Sequence, residues 1–305
     1  MLVPNDRVEL VACSDGLGSS ALDEVRRLRE SLEAMGLRVT AGLAHGRDYG
    51  ESLVPPTAHP APDDVRANHL MNSLEDPEIA AVFDVSGGQL ATGVMTHLDS
   101  SRLARTTGFF MGFSNLTTIA NAILASGKAS SIVFNPRLLG TNACVRTDFI
   151  HACLTPMDIA SLPSPARPGS AFVTPIVEFV RGTEMSGDLV GGNLSGMLTL
   201  AGTAWFPPVD GTILALEALS LSYSSVAAGL HQLRQMGVFE RVSGVLLGQF
   251  TAVDQQFGID AIPRLALEVV PGIPIASTRH FGHSHNSRAL MLGEQVSLCH
   301  IDSVD

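Results

Sequence analysis

Several features that define particular protein classes are scarce or absent in this sequence of 305 residues. It has only four cysteines, and none belongs to a C-x-x-C pair, so we expect no disulfide framework and thiols that are reduced and mostly buried. These are Cys13, Cys144, Cys153 and Cys299. No apolar run reaches the roughly 18 residues that span a bilayer, so we expect no membrane segment. Residues 1–6 lack the basic region and the apolar core of a secretory signal, which predicts a cytoplasmic protein.

Basic residues are scarce as well. The chain has 19 Lys and Arg against 30 Asp and Glu, which gives a formal net charge of -11. Nucleic acids and anionic membrane surfaces are recognised by clustered basic side chains, so we expect neither as a partner. With 45% hydrophobic and 16% charged residues, the composition is that of a globular protein large enough for one large domain or two ordinary ones. This balance favours a small molecule or a peptide as the partner.

Strand-like and helix-like segments alternate along the chain, which is typical of an α/β fold with a mainly parallel sheet. In the first half we predict strands at residues 7–12, 38–43, 80–85 and 109–113, and helices at residues 22–35, 63–74, 89–97 and 116–124. In the second half we predict strands at residues 172–180, 212–216 and 243–250, helices at 226–236 and 259–270, a turn at 191–194 and a β-like end at 289–301.

A proline-rich segment separates the two halves. Residues 161–170 contain Pro163, Pro165 and Pro168, and such spacing forbids regular structure and suits a linker. We therefore predict an N-terminal parallel-sheet domain with flanking helices over residues 1–160 and a smaller α/β domain over residues 171–305.

Ser114 is the first candidate for chemistry. The apolar strand that precedes it passes directly into a helical pattern. At a strand-to-helix turn a serine Oγ stands clear of the sheet, and the following N–H groups lie at a helix N-terminus, where they can stabilise an oxyanion. Ser114 is therefore a candidate nucleophile. The alternative is an ordinary helix N-cap, a position that serine often occupies.

Gly87 and Gly88 directly follow a predicted strand. Because glycine has no Cβ, the backbone there can approach a ligand closely and offer its N–H groups, so we predict that Gly87 contacts the substrate. The alternative is a tight turn without a ligand. The pair lacks both the G-x-G-x-x-G spacing of a dinucleotide site and the lysine of a phosphate loop.

Glu217 lies at the end of an apolar run and is followed by further apolar residues. A carboxylate is costly to bury unless it is paired or hydrogen-bonded, and a histidine is a natural partner. The end of a strand is also where α/β sheets gather their active sites. The alternative is that the strand has ended and that Glu217 is solvated.

Three histidines, His280, His283 and His285, lie within six residues. One of them can serve as a general base that takes a proton from Ser114 and is oriented by a carboxylate. A metal hydrolase using all three is an alternative, but their spacing matches no established zinc pattern and no neighbouring segment is rich in Asp or Cys. We therefore expect no metal. A surface cluster without a role is the remaining possibility.

Seven short segments occur in order along almost the whole chain. They are Gly87-Gly88, Gly112-Phe113-Ser114-Asn115, Gly191-Gly192-Asn193-Leu194, Ala201-Gly202-Thr203, Leu214-Ala215-Leu216-Glu217, Leu247-Gly248-Gln249-Phe250 and Phe281-Gly282-His283. Together they resemble the ordered landmarks of the LD-carboxypeptidase family, which includes the microcin-immunity peptidases.

This resemblance implies a two-domain serine peptidase that works without a cofactor and forms a homodimer, with its active site in the cleft between the domains. Ser114 would attack the amide carbonyl, His283 would shuttle the proton, and Glu217 would hold the imidazole. The backbone N–H groups of Gly88 and Asn115 would form the oxyanion hole.

Departures from the family pattern keep several substrates open. The family usually has Asp where this chain has Asn115, and Val85-Ser86 before the glycine pair resembles the microcin-immunity branch. That branch tends to place a Trp ahead of the Gly-Gly-Asn-Leu segment, whereas the single tryptophan, Trp205, follows it and is interpreted as a packing residue.

Three functions follow. We predict hydrolysis of a small peptide with a free terminal carboxylate, such as a murein tetrapeptide. One alternative is a self-resistance hydrolase acting on a peptidyl or aminoacyl nucleotide antibiotic. The other is a non-catalytic binding protein on the same scaffold.

Overall fold

The computed structural model describes residues 2–17, 19–41, 61–127, 131–153 and 177–299. Within these residues the chain forms two six-stranded sheets flanked by helices. The predicted linker at residues 161–170 lies outside this part of the chain. None of the helices described has the length and apolar character that crossing a bilayer requires.

The first sheet consists mainly of strands from the N-terminal half. In spatial order its strands are β11 (Leu290–Leu292), β5 (Ser131–Val133), β4 (Phe109–Gly112), β3 (Ile79–Asp84), β1 (Arg7–Val11) and β2 (Arg38–Thr40). The pairs from β5 to β2 are parallel, and β11 runs antiparallel to β5. Because the parallel strands point the same way, the segments that follow β1, β3 and β4 meet at one edge of the sheet.

Helices cover this sheet, since parallel strands are apolar on both faces and need cover on each. They are α1 (Ser19–Ala34), α2 (Asp63–Glu75), α3 (Ala91–Met95), α4 (Ser100–Leu103), α5 (Thr117–Ala125), α6 (Leu138–Thr141) and α7 (Ala143–Cys153).

The second sheet has a parallel centre and two antiparallel edges. In spatial order its strands are β12 (Gln295–Cys299), β7 (Glu184–Asn193), β8 (Ile213–Ala218), β9 (Gly244–Phe250), β10 (Ile275–Ser277) and β6 (Glu178–Arg181). The pairs from β7 to β10 are parallel, whereas β12 and β6 pair antiparallel at the edges. Its helices are α8 (Leu194–Leu200), α9 (Tyr223–Gln235), α10 (Thr251–Phe257) and α11 (Ala261–Val269).

One buried apolar cluster joins the two halves. It contains Phe113 and Leu116 from the first half together with Leu200 and Phe281 from the second. Apolar burial of this kind is the main favourable term in packing two units against each other. The cluster therefore sets the end of β4 against elements of the second sheet.

The α/β prediction is confirmed, and most of the predicted elements in the described residues are present within a few positions. Residues 191–194 were expected to form a turn, but residues 191–193 end β7 and Leu194 begins α8. The glycines there resemble a turn in sequence, yet Gly191 and Gly192 extend the strand at φ values of 108° and 134°. Helix α10 was not predicted.

The prediction for the β segment at residues 289–301 was also wrong in one respect. It was assigned as one piece of the C-terminal domain, but β11 joins the first sheet and β12 joins the second. A strand pattern indicates that a segment will pair without indicating its partner, which depends on packing elsewhere. The four cysteines are free, as expected, but only Cys13 and Cys153 are buried.

Candidate active site

Ser114 lies at a strained turn between β4 and α5. Its φ is 61°, in the left-handed region that costs an L-residue roughly 1–2 kcal/mol, and a short 3-10 helix, Ser114–Leu116, continues from it into α5. The side chain is partly exposed. The N-cap positions of the 3-10 helix and of α5 are Phe113 and Leu116, so the interpretation of Ser114 as an N-cap is wrong. A strained, accessible serine at the carboxyl edge of a sheet is typical of a nucleophile turn.

Glu217 lies inside β8, and its side chain is fully buried, so the solvated alternative is wrong. Two donors face the carboxylate. Asn193 Nδ2 donates to Oε1 at 2.8 Å, and His283 Nδ1 lies 2.7 Å from Oε2. These contacts offset the desolvation of the carboxylate, because a buried charge needs both hydrogen bonds and a partner.

His283 is therefore oriented by a carboxylate. With Nδ1–H donating to Glu217, the neutral ring carries its lone pair on Nε2, where it can accept a proton. This Nε2 is buried and has no hydrogen-bond partner in the described part of the chain. The loop around the histidine is held by Gln249, whose N–H donates to the carbonyl of Phe281 at 2.7 Å and whose Nε2 donates to that of Arg279 at 2.8 Å.

The structure brings His283 close to the turn of Ser114 without a hydrogen bond between the two side chains. The ring of Phe113, which directly precedes Ser114, lies 4.6 Å from the imidazole of His283 between centroids. Among the described residues no hydrogen bond joins Ser114 Oγ to His283 Nε2. Catalytic hydrogen bonds are often long in the absence of substrate and shorten in the complex.

Asn193 is a site residue that the sequence reasoning did not single out. Besides its bond to Glu217, its N–H donates to Thr117 Oγ1 at 2.9 Å, and its Oδ1 caps α8 by accepting from Gly196 N at 3.3 Å. It thus connects α5, the helix that follows Ser114, with the carboxylate of Glu217. An Asn before a helical pattern is a capping signal, but no local pattern reveals its contact with a residue on the next strand.

The glycine pair follows β3 at the same sheet edge. Gly88 has a φ of 125°, and a Cβ there would overlap the carboxyl group of Asp15, so this position requires glycine. Asp15 Oδ1 accepts from the N–H groups of Gln89 at 2.8 Å and Leu90 at 3.0 Å, which fixes the turn. At Gly87 a Cβ would meet nothing within 4 Å. Open space beside Gly87 is compatible with a ligand.

Asn115 is almost fully buried and points away from solvent. Its Oδ1 accepts from Ser14 Oγ at 3.0 Å and from the N–H of Ala91 at 2.9 Å. The side chain therefore holds structure together, while a role in an oxyanion hole concerns the backbone N–H alone.

The remaining histidines do not form a metal site with His283. In the described ranges no three metal-binding side chains converge on one point. His280 is partly buried, and burial together with the nearby Arg288 lowers the pKa of its imidazole. His285 is exposed. Trp205 packs against the apolar cluster that joins the two halves, as the packing interpretation predicted.

Comparisons with known proteins identify the family and the fold of this chain. The family model for the LD-carboxypeptidase N-terminal domain matches residues 8–133, and that for the LD-carboxypeptidase C-terminal domain matches residues 186–298. The two matches lie on either side of residues 161–170, and the domain boundaries themselves stay a prediction.

Two curated relatives and one solved structure are similar over most of their length. A putative carboxypeptidase of Treponema pallidum is 24% identical over 97% of this chain and 90% of its own. The murein tetrapeptide carboxypeptidase of Pseudomonas aeruginosa is 26% identical over 76% of each chain. The structure of MccF in complex with glutamyl sulfamoyl guanosine has a TM-score of 0.76 at 18% identity, covering 97% of this chain and 93% of that chain. At that identity the likeness shows the fold.

Proposed function

The chain belongs to the LD-carboxypeptidase family and is a serine-type peptidase, and we propose that it works by a triad of Ser114, His283 and Glu217. One observation carries this proposal. Glu217 holds the imidazole of His283 at 2.7 Å and leaves Nε2 without a partner, beside the strained turn of Ser114. That is the relation of acid, base and nucleophile that acyl transfer needs.

In the proposed reaction Ser114 Oγ attacks the carbonyl carbon of the scissile amide while His283 Nε2 takes the hydroxyl proton. Glu217 stabilises the resulting imidazolium without becoming protonated. The N–H groups of Gly88 and Asn115 stabilise the tetrahedral oxyanion. His283 then gives its proton to the leaving amine, and water, activated by the same imidazole, hydrolyses the acyl-enzyme.

The proposed substrate is a small peptide with a free terminal carboxylate, such as a murein tetrapeptide. The name of the Pseudomonas aeruginosa relative supports this choice. The second candidate is a peptidyl or aminoacyl nucleotide, because the fold matches MccF with a sulfamoyl nucleoside bound. Residues 182–188, ahead of the Gly-Gly-Asn-Leu segment, contain no aromatic side chain that would stack on a base, which favours the peptide.

The test is a pair of incubations followed by mass spectrometry. Purified protein receives a murein tetrapeptide in one and a glutamyl sulfamoyl adenosine in the other. We expect release of the terminal amino acid from the tetrapeptide and a loss of about 10⁴-fold or more in kcat for Ser114→Ala. Consumption of the nucleoside alone would establish the second candidate. Turnover that survives Ser114→Ala would refute the triad, and inertness toward both would favour the binding-protein alternative.

We also propose that the protein is a cytoplasmic homodimer with the active site in the cleft between its domains. The resemblance to the family supports the dimer, and the contact of Phe113 with His283 supports the cleft. Light scattering on the purified protein would measure its mass in solution. A homodimer has twice the 32.1 kDa mass of one chain, and a mass equal to that of one chain would contradict the proposed dimer.

A further inference from the structure

Buried polar side chains lie next to Gly88 and Asn115, the two proposed oxyanion donors. They have no part in the proposed proton transfer. Ser14, which follows β1, is fully buried. Its Oγ donates to Asn115 Oδ1 at 3.0 Å, and its N–H donates to Ser86 Oγ at 2.8 Å. One residue thus connects the neighbour of the nucleophile with the residue before the glycine pair.

Asp84 determines that Ser86 Oγ accepts the hydrogen bond from Ser14 N–H. Ser86 donates to Asp84 Oδ1 through both its Oγ, at 2.6 Å, and its N–H, at 2.9 Å, while Cys13 N–H donates to Oδ2 at 2.9 Å. Burial raises the pKa of the Asp84 carboxyl, and these donors act in the opposite direction. Because the Ser86 hydroxyl donates to the carboxylate, its oxygen is left to accept from Ser14.

The loop that carries Gly88 is therefore tied at both ends. At its start Ser86 accepts from Ser14, and at its end the N–H of Ala91 donates to Asn115 Oδ1 at 2.9 Å. The first tie ends on the backbone N–H of Ser14 and the second on Asn115 Oδ1, and the hydrogen bond from Ser14 Oγ to Asn115 Oδ1 joins these two residues. The same hydroxyl lies 3.4 Å from Asp15 Oδ1, a longer contact than the 3.0 Å to Asn115.

We propose that Ser14 is a positioning residue for the oxyanion hole. Its hydroxyl sets the separation between the N–H of Gly88 and the N–H of Asn115 by fixing the side chain of Asn115 against the loop of residues 86–91. The proposal rests on the proposed function, which assigns those two donors. Donors of this kind act only when they are held at the position the oxyanion will occupy.

The test measures the reaction of Ser114 with a fluorophosphonate, which needs no knowledge of the natural substrate. Ser114 Oγ bonds to phosphorus, fluoride leaves, the serine proton passes to His283, and the phosphoryl oxygen takes the position of the oxyanion. The variant is Ser14→Ala. Its matched control is Ser131→Ala, which also removes one buried hydroxyl and one hydrogen bond, here to the carbonyl of Ala120 at 2.9 Å.

We expect Ser14→Ala to lower the second-order labelling rate at least about tenfold and Ser131→Ala to leave it within about twofold, with similar shifts in Tm. Equal rates for the two variants would overturn the inference and leave the triad intact. Wild-type protein that is not labelled at Ser114 would overturn the triad and the inference with it.

A second variant covers the case in which Ser14→Ala does not fold. Ser14→Cys keeps a side chain of similar shape but donates a weaker hydrogen bond. We expect a labelling rate below that of the wild type, with the adduct located on Ser114 by mass spectrometry. A rate equal to that of the wild type would overturn the proposal.

Discussion

The two halves of the proposed active site are held in place by different means. Glu217 and His283 are fixed by side chains, through buried hydrogen bonds of 2.7 and 2.8 Å that include Asn193. Ser114 is fixed by the backbone, at a φ of 61° at the start of the 3-10 helix Ser114–Leu116. The proposed acid and base are thus held together by polar groups that are costly to bury. The proposed nucleophile is instead presented by a strained backbone conformation.

This difference predicts that activity and stability respond differently to substitutions on the two sides. On the side-chain half, removing a hydrogen bond lowers both. On the backbone half, replacing Ser114 by glycine removes the hydroxyl and the strain of the Cβ together, so activity is lost while stability rises.

The largest effect is expected for Glu217→Gln. The neutral amide cannot stabilise the imidazolium and presents a donor where the carboxylate accepts, so kcat should fall about 10⁴-fold, as for comparable triad acids. Steady-state kinetics on the substrate identified above provide the measurement. Glu240→Gln, at an exposed glutamate, is the control and should stay within about twofold. A loss of less than about tenfold for Glu217→Gln would contradict the assigned role.

A smaller effect is expected for Asn193→Ala, because it removes one hydrogen bond to a charged group. Bonds of that kind contribute about 1.5–3 kcal/mol, so kcat should fall about 10- to 100-fold. The loss of the cap on α8 should lower the free energy of unfolding by about 1 kcal/mol, and the unpaired buried oxygen of Glu217 should lower it further.

The matched control is Ser222→Ala, which removes the side-chain cap of α9. Urea unfolding should show the loss of the cap alone for this variant, about 1 kcal/mol, with unchanged kcat. Similar kcat values for the two cap variants would mean that Asn193 only caps its helix.

The smallest effect is expected at Ser114 and concerns stability. Ser114→Gly should raise the free energy of unfolding by about 0.5–1 kcal/mol, because glycine adopts a positive φ without the strain of a Cβ. Ser126→Gly is the control at the other end of α5, where φ is -74°, and it should lower stability. Urea unfolding measures both. A loss of stability in both variants would show that the turn at Ser114 is not strained.

The sequence predicted the elements around the site better than the contacts within it. Ser114, Glu217 and His283 were chosen because a strand ends near each candidate or because histidines cluster, and these are local signals. The bond between Glu217 and His283 joins residues 66 positions apart, and no local pattern specifies such a pair. The resemblance to the family suggested the pair, and the packing of β8 against the loop after β10 produces it.

The contacts of Asn193 and Ser14 cannot be read from the residues next to them in the sequence. The segment around Asn193 was interpreted as a turn because two glycines precede it, although the strand continues through both. Ser14 carried no signal, since a serine after a strand is common in loops. Both matter through partners on other strands, whose position depends on sheet order and register.

The sequence by itself determined the α/β class, the division into two halves with apolar strands, and a serine placed where a strand turns into a helix, because each follows from periodicity and turn chemistry over a few residues. Only the tertiary structure decided that β11 and β12 end in different sheets, that Glu217 is buried against His283, and that Ser14 lies behind Asn115. These depend on which surfaces pack together, and packing is a property of the whole folded chain.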